Sequence, residues 1–507
     1  MHLRSALVAL PFAAALLAGQ PSDATAQTGP VGEVAFENSG AAAAQPAFRR
    51  GLAQLHNFEY QAAIAAFREA QAADPGFVMA YWGEAMAHNH PVWMQQDAAA
   101  GRAALAKLAP TREARLARAR TERERAYLEA VEILYGEGSK EERDRRYSAA
   151  MAETHRRWPD DVDARAFYAL SLLGLAHEGR DVALYMRAAA LLEEAFLQHP
   201  RHPGVLHYLI HSYDDPDHAP LGMRAARLYA DVAGDAGHAV HMTSHIFLAR
   251  GMWDDTVAMN RRAMDVVNRQ RAARGQGPTN CGHYAEWFVY GELQRGRVAE
   301  ADAVIDACAA EARRELAGPA PGAGFEPPRS LVANWSLMAL RRLVDTGQWP
   351  SERLQLPDRG WLGSRLSHAY GEVLSARDAA AARAARERLE ALAAEARAVF
   401  PAGTPEAGYL DSHAKVLLGQ ARGLEALRSG RADEGLASLR EAAQAESALP
   451  VEFGPPAIEK PGWELLGDEL LRLGRRDEAR AAYERALAAA PGRRLAAEGL
   501  ARASARP

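Results

Sequence analysis

Residues 463–491 have the sequence WELLGDELLRLGRRDEARAAYERALAAAP and carry the clearest structural pattern of this chain. Its apolar residues recur at helical spacing on both sides of a glycine-containing turn, which predicts two short amphipathic helices. Gly467 and Ala479 are small enough to let the two helices approach closely, and Tyr483 is large enough to fill the seam between them. Pro491 cannot continue a helix and therefore ends the second one. The pattern predicts an antiparallel helical hairpin.

This signature resembles the tetratricopeptide repeat (TPR), a helix pair of 34 residues. The resemblance covers most of residues 47–500 and is weakest over 91–160 and 311–410. Weaker copies lie at Ala63 and Phe67, Tyr81 and Ala85, Ala188 and Leu192, Pro203, Gly237, Gly296 and Ala301, and Gly423 and Leu439. One hairpin cannot bury its apolar face alone, so neighbouring hairpins must stack. The chain is predicted to be all-α, and the resemblance implies a right-handed α-solenoid.

The first segment of the chain has the pattern of an export signal. Arg4 precedes an apolar stretch over residues 6–19, and Ala24-Thr25-Ala26 offers a small-residue cleavage site. These features predict a signal peptide over residues 1–26, with an uncleaved anchor as the alternative. The mature protein is then expected to be periplasmic or secreted, with no membrane span after the signal is removed.

Composition after the signal suggests three further boundaries. Residues 27–46 (QTGPVGEVAFENSGAAAAQP) predict a flexible leader, and residues 47–317 an N-terminal TPR-like array with a histidine-rich groove. Glycine and proline crowd the start of residues 318–360, which predict a loop-rich linker. Residues 361–507 are expected to form a C-terminal TPR-like array.

Charge and cysteine content narrow the function. The chain has 60 basic and 65 acidic residues, a net charge of −5, so nucleic acid is not an expected partner. Its two cysteines, Cys281 and Cys308, cannot form a zinc site by themselves. They lie at opposite ends of one predicted hairpin, where antiparallel helices bring them together, and we predict a disulfide. Two free thiols in a helical seam are the alternative.

The histidines carry the strongest functional signal. Eight of the 17 lie between His199 and His245. His207 and His211 are four residues apart, as are His241 and His245, so each pair lies on one helix face. The second pair follows the first by 34 residues, the length of the repeat. In the TPR family these places face the groove that binds ligands, so the resemblance implies four imidazoles in one space.

Other polar side chains extend this stripe and are candidates for ligand binding. They are Asp215, His238, His283, Glu286, His56 and His90. Imidazole with carboxylate suits Zn or another divalent transition metal better than Mg or Ca. The sequence therefore predicts a metal site, with histidines that bond only to one another, to water or to a peptide as the alternative.

Two functions remain open at this point. Several phrases, including HYLIHSYDDPDHAPLG (207–222) and HMTSHIFLARGMWDD (241–255), resemble a group of secreted bacterial TPR proteins. This resemblance supports the fold and does not supply an activity. The first hypothesis is a binding scaffold whose groove holds a protein or peptide, or a small ligand. A metal-dependent hydrolase or oxidoreductase is the alternative, although the chain has no HExxH, GxSxG or Walker A motif.

Overall fold

The computed structural model describes residues 29–505, except 320, 322, 323 and 328. The signal peptide predicted over residues 1–26 lies outside this range. The described residues form 23 α-helices, two short 3-10 helices and one pair of two-residue strands. The prediction of an all-α helical-repeat fold is confirmed. Among the described residues, no helix is both long enough and apolar enough to cross a membrane.

Two compact units make up the described chain. The N-terminal unit contains residues 29–246 and 265–276, and the C-terminal unit contains residues 247–264 and 277–505. The linker predicted over residues 318–360 lies inside the C-terminal unit. Glycine and proline mark where helices end, whereas compact units are defined by side-chain packing, so the two criteria divide the chain at different places.

The N-terminal unit is built from successive antiparallel helices. They are α1 (Gln45–His56), α2 (Tyr60–Ala73), α3 (Val78–Met86), α4 (Ala98–Leu108), α5 (Arg112–Leu116), α6 (Glu122–Leu134), α7 (Lys140–Arg157), α8 (Val162–Leu173), α9 (Val182–Gln198), α10 (Pro203–Ser212) and α11 (Ala219–Val232). Strand β1 (Asn89–His90) pairs antiparallel with β2 (Gln95–Gln96) around the 3-10 helix Pro91–Trp93, and another 3-10 helix, Ala42–Ala44, precedes α1. The next two helices, α12 (Gly237–Ala249) and α13 (Trp253–Ala273), each contribute residues to both units.

The C-terminal unit continues the same pattern. Its helices are α14 (His283–Gln294), α15 (Val298–Leu316), α16 (Leu331–Thr346), α17 (Leu362–Ser375), α18 (Ala379–Val399), α19 (Pro405–Arg428), α20 (Ala432–Ser447), α21 (Gly462–Arg472), α22 (Arg476–Ala489) and α23 (Arg494–Ser504). The helical hairpin predicted from residues 463–491 is formed by α21 and α22. A Cβ atom on Gly467 would lie 2.8 Å from the Tyr483 ring, so the predicted close approach is present.

Several hairpin turns close on a glycine, but the first closes on a phenylalanine. Gly251, Gly296, Gly430 and Gly474 each follow a helix with φ between 66° and 79°. After α1 the same place is held by Phe58, with φ 57°. Its N–H donates to the Leu55 carbonyl, and the Glu59 N–H donates to the Gln54 carbonyl. This helix-ending motif favours glycine, and any other residue costs about 1 kcal/mol in the left-handed region.

Residues 29–46, expected to belong to a flexible leader, pack against the helices. The Phe36 ring is 6% exposed and lies 5.1 Å from the Tyr127 ring and 5.9 Å from the Trp82 ring. The N–H and hydroxyl of Ser39 donate to the Glu124 carboxylate at 2.7 and 2.8 Å. Burial of one aromatic side chain and these charge-assisted bonds offset the cost of ordering the segment.

The two cysteines lie in the core of the C-terminal unit. Cys281, just before α14, and Cys308, in α15, form a disulfide with Cα atoms 4.9 Å apart. The bond joins the two ends of one helical hairpin, as the sequence suggests.

A glycine substitution tests the close helix packing. A Cβ atom on Gly83 of α3 would lie 2.3 Å from the buried Phe67 ring of α2. We expect Gly83→Ala to lower the free energy of unfolding by about 1–3 kcal/mol, because the ring cannot retreat in a packed core. The matched control is Gly408→Ala in α19, where a Cβ atom meets nothing within 4 Å. That control should raise stability by about 0.5–1 kcal/mol. Urea unfolding measures both, and equal effects would contradict the packing argument.

Candidate metal centre in the N-terminal unit

Five histidine rings form a continuous array in the N-terminal unit. His207 and His211 come from α10, and His238, His241 and His245 come from α12. Ring centroids are 4.8 Å apart between His207 and His211, and 5.0 Å apart between His241 and His245. His238 lies 5.1 Å from His207, and His245 lies 6.4 Å from His211. We call these five residues the imidazole array.

Three members of the array lie at metal-binding separation. Ring nitrogens of His207, His211 and His238 lie within 4.8 Å of one another. His207 and His211 are 0% and 3% exposed, and His238 is half-buried. The Nε2 atom of His207 and both ring nitrogens of His211 have no hydrogen-bond partner among the described residues. Buried polar atoms without partners cost about 1–3 kcal/mol each, and a metal ion would satisfy lone pairs directed at one point.

The orientation of His207 is fixed by the backbone. Its Nδ1 atom lies 2.6 Å from the carbonyl oxygen of His56, so Nδ1 carries the proton and donates it. The lone pair then belongs to Nε2, the atom without a partner. A backbone carbonyl behind a ligating imidazole is a common supporting contact in metal sites.

A second buried cluster holds His56 itself. The Asp163 carboxylate lies 2.8 Å from His56 Nε2 and 3.2 Å from His202 Nε2. Nδ1 of His202 accepts the Val205 N–H, and Nδ1 of His56 lies 2.9 Å from the Tyr208 hydroxyl. These three groups also have metal-ligand spacing. Because all four of their ring nitrogens already have hydrogen bonds, we interpret the cluster as structural. His56, expected on the ligand-binding surface, supports His207 from behind.

Burial controls the ionisation of these groups. Burial lowers the pKa of His56 to about 4, and the hydrogen bond to Asp163 opposes this lowering only in part. Burial and then neighbouring histidines hold the pKa of His207 and of His211 well below the usual value. Burial alone would raise the pKa of Asp163, but hydrogen bonds from His202 and His56 hold it below its usual value. His207 and His211 are therefore neutral at physiological pH, as metal ligation requires.

The remaining pair of the array is held by a carboxylate. Nε2 of His241 lies 3.1 Å from Nε2 of His245, and Nδ1 of His245 lies 2.5 Å from Asp214 Oδ2. All three side chains are less than 10% exposed. The carboxylate fixes the ring of His245 and determines which nitrogen faces His241.

Aromatic side chains enclose the array on one side. The Phe58 ring lies 4.3 Å from His207, 5.7 Å from His211 and 5.8 Å from His238. Trp93 lies 5.9 Å from His238. The cost of the left-handed backbone at Phe58 is thus offset by the contacts of its ring. Glycine at this turn would leave the three histidines without this apolar wall. Glu59, the next residue, accepts the N–H of His238 and ties α12 to the same turn.

The other expected ligands have different surroundings. His90 stacks on Tyr60 with ring centroids 3.8 Å apart. The Asp215 carboxylate pairs with Arg180 at 2.5 Å and with His218 at 2.8 Å. The Asp215 carboxylate and the His90 ring are thus engaged by these partners.

His283 and Glu286 belong to the C-terminal unit. His283 is the exposed first residue of α14. Glu286 is buried one turn later and accepts a hydrogen bond from Asn334 at 2.6 Å. Burial raises the pKa of Glu286 to about 7, and Arg341 and the Asn334 bond oppose this only in part.

Glu286 gives the C-terminal unit a pH dependence. Between about pH 4.5 and 7 the folded state keeps a proton that the unfolded chain has released, so this contribution to stability falls as pH rises. We expect Glu286→Gln, which still accepts from Asn334, to raise the free energy of unfolding by about 1–3 kcal/mol at pH 8 and little at pH 4. Urea unfolding at both pH values measures this, with the exposed Glu300→Gln as control. An equal gain at both pH values would refute the assignment.

Sequence reasoning missed Asp163, Asp214 and Phe58. Asp163 has no regular spacing to the histidine pairs, so the pattern gave no signal for it. Asp214 follows His211 by three residues, which is also a helical spacing, but the pattern favoured Asp215 at four residues. Phe58 did leave a signal, because it occupies the turn position that later hairpins give to glycine. A large residue where the repeat needs glycine points to a local role for its side chain.

Comparison with known proteins places the repeat at the C-terminal end. Residues 461–493 match the tetratricopeptide repeat family model. A search of curated proteins finds no match to the chain. Among solved structures, the crystal structure of the P58(IPK) TPR domain is similar at 12% identity, covering 91% of this chain and 97% of that chain, with a TM-score of 0.22. That likeness is too low to bear on function. The chain is a helical-repeat protein that carries a tetratricopeptide repeat.

Proposed function

We propose that this chain is an exported helical-repeat scaffold that binds a divalent transition metal ion through His207, His211 and His238. The main support is the set of buried, unpartnered nitrogens on His207 and His211, which lie within 4.8 Å of a nitrogen of His238. Zn is the expected ion, and Cu, Ni or Fe would also suit imidazole ligands. Three protein ligands leave a fourth position for water or for a group from a partner.

The scaffold role rests on the repeat architecture. Stacked helical hairpins present extended surfaces that suit a protein or peptide, and a metal with an open position adds a specific anchor for a histidine or carboxylate of that partner. The signal-like pattern of residues 1–26 supports export. Mass spectrometry of the protein from a periplasmic fraction should give Gln27 as the first residue, and an intact N-terminus would count against export.

Metal binding is tested on the purified, chelator-stripped protein. Isothermal titration with Zn²⁺ should show tight binding that the double variant His207→Ala/His211→Ala weakens by at least 100-fold. The matched control is His199→Ala, which removes an exposed histidine and should leave affinity unchanged. Circular dichroism checks that each variant is folded. Equal affinity in the double variant and wild type would exclude this site.

A metal-dependent enzyme is the second candidate. The open fourth position favours it, because catalytic zinc sites keep one position for water. With Co²⁺ as the probe, an enzyme-like centre should show a visible spectrum that changes when azide replaces the bound water. A spectrum that azide does not change would exclude an exchangeable water at the fourth position and would therefore count against an enzyme.

A further inference from the structure

The pair His241 and His245 lies next to the proposed metal ligands but is organised differently. Its two Nε2 atoms face each other at 3.1 Å. Two nitrogens bound to one tetrahedral Zn²⁺ at about 2.0–2.1 Å are separated by about 3.3 Å. The two imidazoles therefore already have nearly the spacing of ligands that share one ion.

Asp214 prepares this pair for a cation. Its Oδ2 accepts the Nδ1 proton of His245 at 2.5 Å, which leaves the Nε2 lone pair of His245 directed at His241. The two Nε2 atoms face each other at 3.1 Å, and a cation would take the place of the proton that they share. A carboxylate behind a ligating histidine orients the ring and raises its basicity. Asp214 is 3% exposed, so its charge acts through a medium of low dielectric.

The distances separate the array into two groups. Ring centroids within each group are 4.8 to 5.1 Å apart, for His207 with His211, His207 with His238, and His241 with His245. Between the groups they are 6.2 Å for His238 with His241 and 6.4 Å for His211 with His245. The sequence pattern suggested one ion shared by His207, His211, His241 and His245. Such an ion could bind all four only if the rings of the two groups moved closer together.

We propose that His241 and His245, backed by Asp214, bind a second divalent transition metal ion beside the first. This inference rests on the proposed function, since it extends the same array. Adjacent metal ions are the arrangement that binds both oxygens of a carboxylate or phosphate group. The ligand class expected at the paired site is therefore a small oxyanion or an acidic side chain of a partner.

Metal stoichiometry tests the proposal. The stripped protein is titrated with Zn²⁺ and with Co²⁺, and bound metal is counted by elemental analysis after gel filtration. Wild type should hold two ions per chain, and His211→Ala and His245→Ala should each hold one. Asp214→Asn should weaken only one of the two binding steps, by about 10- to 100-fold. His199→Ala is again the control, and His245→Gln replaces His245→Ala if circular dichroism shows that the latter is unfolded.

The outcomes separate this inference from the proposed function. One ion in wild type that is lost in His211→Ala but kept in His245→Ala would overturn the second site and leave the first. One ion lost in both variants would mean a single shared centre and would also overturn the second site. No ion in any protein would overturn both. With Cu²⁺ as the probe, two adjacent ions should weaken each other's electron paramagnetic resonance signal. Two ions at separated sites would not weaken it.

Discussion

Replacing His211 by leucine is expected to abolish metal binding at the site of His207, His211 and His238 and to leave the metal-free protein at least as stable as before. His211 is buried, and neither of its nitrogens has a hydrogen-bond partner among the described residues. Leucine has a similar size and no polar atoms to desolvate, so the metal-free protein should gain up to about 2 kcal/mol. With Zn²⁺ at 1,000 times its dissociation constant, wild type should gain about 4 kcal/mol that the variant lacks.

A matched variant at His207 sharpens this test. His207→Leu also removes a proposed ligand, but it leaves the buried His56 carbonyl without the Nδ1 proton that it now accepts. The metal-free His207→Leu protein should therefore lose about 1–2 kcal/mol. Thermal unfolding with a chelator and with excess Zn²⁺ measures both variants. A metal-free His211→Leu protein that is clearly less stable than wild type would show that the His211 ring has a structural role and not a ligand role.

Asp163→Ala should be the most destabilising single change near the site. The carboxylate is fully buried and accepts from both His56 and His202. Its removal leaves two buried N–H groups without an acceptor and a small cavity, which should cost about 3–5 kcal/mol. Asp163→Asn keeps an acceptor oxygen and should cost less than half of that. The exposed Asp160→Ala is the control and should change stability by no more than about 0.5 kcal/mol.

Substitution of Asp163 should also weaken metal binding, because the backbone of His56 connects the Asp163 cluster to the metal site. His56 is held by Asp163 on its side chain and holds His207 with its carbonyl group. If Asp163→Asn stays folded, its Zn²⁺ affinity should fall by about 10-fold. Urea unfolding with a chelator gives the stability change, and titration gives the affinity. Unchanged affinity together with a large loss of stability would show that the Asp163 cluster supports only the fold.

Local sequence patterns were sufficient to predict the helices and the histidine pairs. Helix geometry is local, so apolar spacing was enough to predict the hairpin of α21 and α22, and four-residue spacing was enough to place each histidine pair on one face. The 34-residue offset brought the pairs onto neighbouring repeats, and α10 and α12 do carry their rings side by side.

The roles of the individual polar groups, in contrast, depend on long-range packing and could not be predicted from local patterns. In the folded protein, His238 lies beside His207 and His211. Asp215 pairs with Arg180, and Asp214 accepts a hydrogen bond from His245. Asp163 lies 107 residues from His56 in the chain, yet the two share a buried hydrogen bond. Local periodicity can place a side chain on a face of its helix. The hydrogen-bond partner of that side chain depends on which distant segment packs against the face. The partner in turn determines which ring nitrogen of a histidine remains available to bind a metal.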